Sequence, residues 1–258
     1  MKMAKFSDPF PRLIHECARD IGLSILVGLG LIMASVASAA SINPTLKFQQ
    51  DPQHVEYNDL AHVILKEAYR RIGHPIAKDR LDTKRGLTNT ALDDGILISP
   101  VRSALQDDYI RIPIAIVKLK VFAYVHKSHE HTRYEFGLLG NRVSIVKGMP
   151  MIQNNMMGMV ATQMNSVNNS LKSILRNQAD LVLLPEFCAL SRSKKHLREQ
   201  VIALQPAVFE VPMYHYISKK NEHLVESLKR SLNGMKKKQL ITQVTQSFKH
   251  VIEADAEA

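Results

Sequence analysis

The chain alternates short apolar, β-branched runs with stretches whose apolar residues recur at helical spacing, and this alternation limits its fold more than any other feature. Strand-like runs occupy residues 46–48, 96–98, 110–115, 117–125, 142–146, 179–184 and 211–217. They are bounded by Gly, Pro or Asp and are too short for buried helices. Pro113 is expected to interrupt the extended region from 110 to 125.

Between these runs lie the helices. Leu60, Val63, Ile64, Ala68 and Ile72 share one helical face, with Asn58 as the expected cap and Gly73 as the stop. A helical piece follows at 84–92, and another at 166–178 carries Val167, Leu171, Ile174 and Leu175. Asn221 is expected to cap a helix bearing Leu224, Val225, Leu228 and Leu232, with Gly234 breaking it. A last helix carries Leu240, Ile241, Val244, Phe248 and Val251, and residues 253–258 read as a frayed tail. Helices alternating with apolar strands predict an α/β fold.

Residues 21–40 carry no charge and follow Lys2, Lys5, Arg12 and Arg19. The run ends in small residues, with Ala37 and Ala39 at the positions signal peptidase reads. Residues 1–39 are thus expected to be a signal peptide, cleaved after Ala39 to release the chain into the periplasm. The alternative is an anchor helix, since the uncharged run is about long enough to span a bilayer. Cys17 lies inside this segment, so only Cys188 remains and no internal disulfide can form. Its apolar surroundings, residues 181–190, read as those of a buried inert thiol.

The formal charge is +10, yet apart from Lys236, Lys237 and Lys238 the basic residues are dispersed, with no aromatic-interleaved stripe. No nucleic-acid partner is expected. There is no Gly-x-Ser-x-Gly elbow, phosphate-binding glycine loop or His-Glu-x-x-His, so neither an enzyme nor a cofactor is expected. Two clusters leave a metal-handling reading open. Met151, Met156 and Met159 belong to a methionine-rich stretch whose thioethers suit Cu(I), although methionine equally builds an adaptable apolar wall. His126, His129 and His131 have a spacing that suits zinc or copper, although a solvated loop would show the same pattern.

Four stretches resemble the family 3 extracellular solute-binding proteins, which have the type II periplasmic binding fold, and in particular a divergent branch of that family. They are Asp59 to Gly73, Asp93-Asp94-Gly95-Ile96, Arg142 to Gly148, and Leu171 to Leu184. Each is short, and their order over residues 45–235 carries the resemblance. It implies two α/β lobes joined by two crossing strands near 115–125 and 206–214. Lobe 1 would comprise 40–118 plus 213–258, and lobe 2 would comprise 119–212. The segment at Asp94 would lie near the cleft between them.

The same resemblance implies a small polar or amino-acid-like solute, delivered by a monomeric protein to an ABC permease. Ser99-Pro100-Val101-Arg102 matches the family's pattern for the arginine that meets a carboxylate, making Arg102 and Ser99 ligand candidates. Gly148 would be the second lobe's ligand-facing glycine, although Met149 and Pro150 stand where the family places Thr or Ser. Glu186 falls near the family's ammonium-binding acid. The first loop offers only Pro52, His54 and Tyr57 in place of a stacking pair, with Tyr57 the candidate. A sensory or regulatory module without transport remains the other reading.

Overall fold

The computed structural model describes residues 44–50, 55–79, 94–100, 108–129, 141–156 and 160–257. The expected signal segment and the helical piece at 84–92 lie outside them. In chain order the strands are β1 (Leu46–Gln49), β2 (Ile76–Asp79), β3 (Gly95–Ser99), β4 (Tyr109–His126), β5 (Val143–Val146), β6 (Ala161–Met164), β7 (Leu181–Pro185), β8 (Val201–Ala203) and β9 (Phe209–Ser218). The helices are α1 (Val55–Arg70), α2 (Pro150–Asn154), α3 (Val167–Leu175), α4 (Glu186–Arg192), α5 (Lys195–Arg198), α6 (Val225–Lys237) and α7 (Leu240–Glu257). Among the described residues no helix is long and apolar enough to cross a membrane.

The nine strands among the described residues join one sheet in the order β2-β1-β3-β9-β4-β7-β5-β6, with β8 also on β4. β1 runs parallel to β2 and β3, and β5 runs parallel to β6 and β7. These two parallel sets flank the antiparallel pair β4–β9. β3, β5 and β7 are buried along their whole length. That burial explains their largely apolar sequences, interrupted in β5 by the buried Ser144, as expected for parallel strands covered on both faces.

The register of β4 and β9 sets the lobes apart. Ser99, at the C-terminal end of β3, pairs with Tyr214, which pairs with Ala115. Pro185, at the C-terminal end of β7, pairs with Val121. Because β3 and β7 run in opposite directions, their C-terminal ends point at each other across the six residue steps from Ala115 to Val121. At about 3.3 Å per residue that interval is roughly 20 Å. Pro113 does not break β4. The ladder shifts register between Arg111 and Ala115, and again between Ala115 and Val117. A residue without an N–H is tolerated where the ladder is interrupted.

Each parallel set is fastened by an aspartate ahead of a strand. Asp94 Oδ2 accepts the Lys47 backbone N–H at 2.8 Å, and its Oδ1 accepts from Asn221 at 3.0 Å and pairs with Lys220 at 3.2 Å. Burial opposes its ionisation, but these donors win and hold the carboxyl below its ordinary range. In the second set Asp180 accepts the Arg142 backbone N–H at 2.7 Å and pairs with the same residue's guanidinium at 2.7 Å. Asp94 lies at the opposite end of β3 from Ser99, away from the cleft where the sequence reading put it. Asn221 likewise donates to Asp94 from a 3-10 turn (Lys219–Leu224) and does not cap α6.

Other differences have local causes. Asn58 is buried inside α1, which begins at Val55 with Glu56 in its first turn, a favourable place for a negative charge. Gly234 lies within α6, where a glycine lowers propensity without ending the helix. α7 continues to Glu257 because Lys195 Nζ donates to the Glu257 carbonyl at 2.9 Å and Arg198 donates to that of Ala256. Ser166 caps α3 by accepting the Asn169 N–H, as the expected start of that helix requires.

His215 on β9 links the first lobe's helix to its sheet. It is fully buried, and Nδ1 lies 3.0 Å from the carbonyls of both Ile96 and Leu97. Carbonyls only accept, so Nδ1 carries the proton and Nε2 accepts from the Tyr69 hydroxyl of α1 at 2.8 Å. The β3–β9 register shifts between Ile96 and Ser99, so the imidazole takes over where the backbone ladder is irregular.

Two outcomes are expected. A Cβ on Gly95, whose φ is +149°, would stand 2.0 Å from the Tyr216 carbonyl oxygen, so Gly95→Ala should lose roughly 4 kcal/mol or more in urea unfolding. Gly234→Ala meets nothing within 4 Å and should gain up to about 1 kcal/mol. Separately, burial lowers the His215 imidazole to about 4, while the unfolded chain protonates it below about pH 6.5. Its contribution is therefore full above pH 6.5, is lost as pH falls from 6.5 to 4, and changes no further below 4. The loss is roughly 3 kcal/mol. Unfolding curves across that window should show it in wild type and lack it in His215→Gln.

Candidate functional site

The facing ends of the two parallel sets form the candidate site. From the first set, Ser99 is 2% exposed and its Oγ has no hydrogen-bond partner among the described residues. Gln50 follows the end of β1, the parallel neighbour of β3, and its Nε2 is likewise sealed from solvent without a partner among them. Two buried polar groups unmet at adjacent strand ends are uncommon in a folded protein and call for a partner. Sequence reasoning passed over Gln50. Its signal was a polar residue directly after an apolar strand, at the end where α/β sheets bind ligands. Arg102 lies outside the described residues, as do Pro52, His54, Met159 and His131.

From the second set come Gly148 and Glu186. Gly148 turns the chain after β5 with φ +83°, and a Cβ there would meet open space. Glu186 directly follows β7 and opens α4. Its carboxylate is engaged, as Lys249 of α7 reaches Oε1 at 2.6 Å. Tyr57 sits on α1 just after the first loop, but it is 1% exposed. Its ring packs on Phe187 at 4.9 Å between centroids, and its hydroxyl accepts the Phe187 N–H at 3.5 Å. In this arrangement Tyr57 is a packing residue and not an open wall of the cleft.

The contacts of Tyr57 belong to a larger joint between α1 and α4. Glu56, 12% exposed at its side chain, receives Arg192 through Nε at 2.6 Å and Nη2 at 2.7 Å. Ser191 donates to the same carboxylate at 2.7 Å and the Cys188 thiol at 3.5 Å. Burial raises the carboxyl's pKa, but Arg192 and Ser191 outweigh it and leave Glu56 below its ordinary range. Burial and the neighbouring Glu56 charge push the Cys188 thiol well up. This favours the inert thiol over a nucleophile. Phe248 of α7 closes the cluster against Phe187, with centroids 5.6 Å apart.

The described metal candidates form no ligand group. Met151 and Met156 are buried at 6% and 5% exposure, the state of gap-filling core residues. His126 ends β4 with Nδ1 2.7 Å from the Ser128 hydroxyl, and its ring lies 6.3 Å from that of His129. Among the described residues no three of His, Cys, Asp or Glu are grouped as metal ligands.

The sequence matches no protein-family model and no curated protein. Solved structures do match. An extracellular-binding protein of a probable amino-acid ABC transporter, ytmK from Bacillus subtilis, superposes with a TM-score of 0.61 at 10% identity, over 80% of this chain and 97% of its own. The GluR0 ligand-binding core in complex with L-glutamate gives 0.57 at 13% identity, over 80% and 98%. The periplasmic VFT2 domain of Bordetella pertussis BvgS gives 0.56 at 14%, over 79% and 93%. The fold is that of the type II periplasmic binding proteins. Two α/β lobes joined by two crossing strands are therefore present, as the resemblance implied, with β4 and β9 as the crossing strands.

Truncating Tyr57 separates packing from ligand contact. Tyr57→Ala should cost about 3–5 kcal/mol, as for other buried aromatic side chains. Tyr57→Phe, which gives up only one long hydrogen bond, should cost under about 1 kcal/mol. Both are read by chemical denaturation.

Proposed function

We propose that this chain is a non-enzymatic solute-binding module that holds a small polar or amino-acid-like solute between its lobes. The observation that carries the reading is the buried Ser99 hydroxyl, without a partner among the described residues, at the end of β3, facing the end of β7 across the crossing strands. In this role Ser99 and Gln50 donate to solute oxygens, and Arg102, three residues beyond Ser99, supplies a fork for a carboxylate. Gly148 lets a solute approach the second lobe's backbone. Glu186 meets an ammonium once Lys249 yields it. The lobes divide as 40–118 with 213–258, and 119–212. Residues 1–39 direct the chain to the periplasm, where a monomer hands its solute to an ABC permease.

A sensory role without transport is the second reading. It is favoured by sensor domains among the structural matches, including a histidine kinase sensor domain with a TM-score of 0.53 at 9% identity. A thermal-shift screen of amino acids, polyamines, small acids and peptides tests the solute site. A solute at 100 times its Kd should stabilise wild type by about 2.7 kcal/mol. Arg102→Ala and Ser99→Ala should lose most of that gain for carboxylate-bearing solutes. Equal stabilisation of all three proteins by anionic solutes would sink the assignment of Arg102 and Ser99. A tight complex with a membrane protein, without any solute response, would select the sensory reading.

A further inference from the structure

We infer that the two lobes are latched to each other by the chain itself, so that the clamp rests closed without a solute. The topology makes the α1–α4 joint a bridge between lobes. α1 connects β1 to β2 in the first parallel set, and α4 follows β7 in the second, on the far side of the β4–β9 pair. Both helices begin at strand ends that face the cleft. Their contact therefore spans the gap that closure would shut.

The chemistry of the joint is that of a clasp. Glu56 is mostly buried and receives both nitrogens of one Arg192 edge, together with the Ser191 hydroxyl. Separating the helices would strand a carboxylate and a guanidinium that are matched as a fork, the arrangement that loses most when one partner is withdrawn. Beneath it, Tyr57, Phe187 and Phe248 form an apolar stack drawn from α1, α4 and α7. α7 adds a second fastening. It packs against α1 and α6 on one side and α4 on the other, and its Lys249 neutralises Glu186 at 2.6 Å. A tethered ammonium thus occupies the carboxylate at the end of β7. A solute amine would have to displace Lys249, and entry would need the Glu56–Arg192 clasp to open.

This inference extends the solute-binding reading but is tested without any solute, so the two fail separately. Donor and acceptor labels at Lys66→Cys on α1 and Gln163→Cys on β6, in a Cys17→Ser, Cys188→Ser background, report the distance between lobes by fluorescence transfer. With Glu56 and Arg192 in place, these labels should give one short distance. Arg192→Met and Glu56→Gln should shift it to longer values. The exchanged pair, Glu56→Arg with Arg192→Glu, should bring it back. A long or broad distance in the protein with its latch intact would overturn the inference. So would an Arg192→Met protein, folded by circular dichroism, whose distance is unchanged.

Discussion

The antiparallel ladder between β4 and β9 is the constraint on which the other parts depend. Among the described residues it is the one place where the backbone of the first parallel set is hydrogen-bonded, through shared neighbours, to that of the second. β4 is 18 residues long, far beyond the ordinary strand, because it belongs to both lobes in turn. Its early residues lie level with β3 and its late residues level with β7. The direction reversal between them turns two sets of strand ends toward one another. A cleft follows from pairing and register alone, before any side chain in it is considered.

Side chains then decide how rigid each half is. The first lobe is pinned at its middle by His215, whose two ring nitrogens are both used, and at its outer end by Asp94. The second lobe repeats the outer fastening with Asp180 and Arg142. In both lobes the charged tie sits away from the cleft. Of the buried polar atoms without a partner among the described residues, Ser99 Oγ and Gln50 Nε2 sit at the cleft end. Fixed outer ends, with spare donors at the inner end of the first lobe, suit the proposed solute site.

Much of this was legible in the sequence because it is local. Short apolar runs marked β3 and β7, β-branched residues between glycines marked β5, and the helical face of α1 marked the first lobe's main helix. The misreadings came from partners distant in the chain. Nothing near residue 257 shows that Lys195 and Arg198 hold the last turn of α7, so the tail read as frayed. Nothing near Asn221 shows that Asp94 will claim its amide. Pro113 read as a strand break because its missing N–H is visible in sequence, whereas the register shift that accommodates it is not. Glu186 was found as a candidate acid, but its lysine lies 63 residues away on a helix that sequence alone could not place beside it.

The joint between α1 and α4 also settles the fate of the chain's thiol. Cys188 is 0% exposed and lies under the Glu56 carboxylate, and after residue 39 it is the sole cysteine. A lone thiol is a liability wherever oxidants reach it, since oxidants and other thiols can couple two copies together. Here reagents are screened out by packing, and burial together with the adjacent negative charge keeps the sulfur from ionising. Contact between the helices thus doubles as protection against oxidation, and a protein that lost it would be exposed to covalent dimerisation as well as to a change of shape.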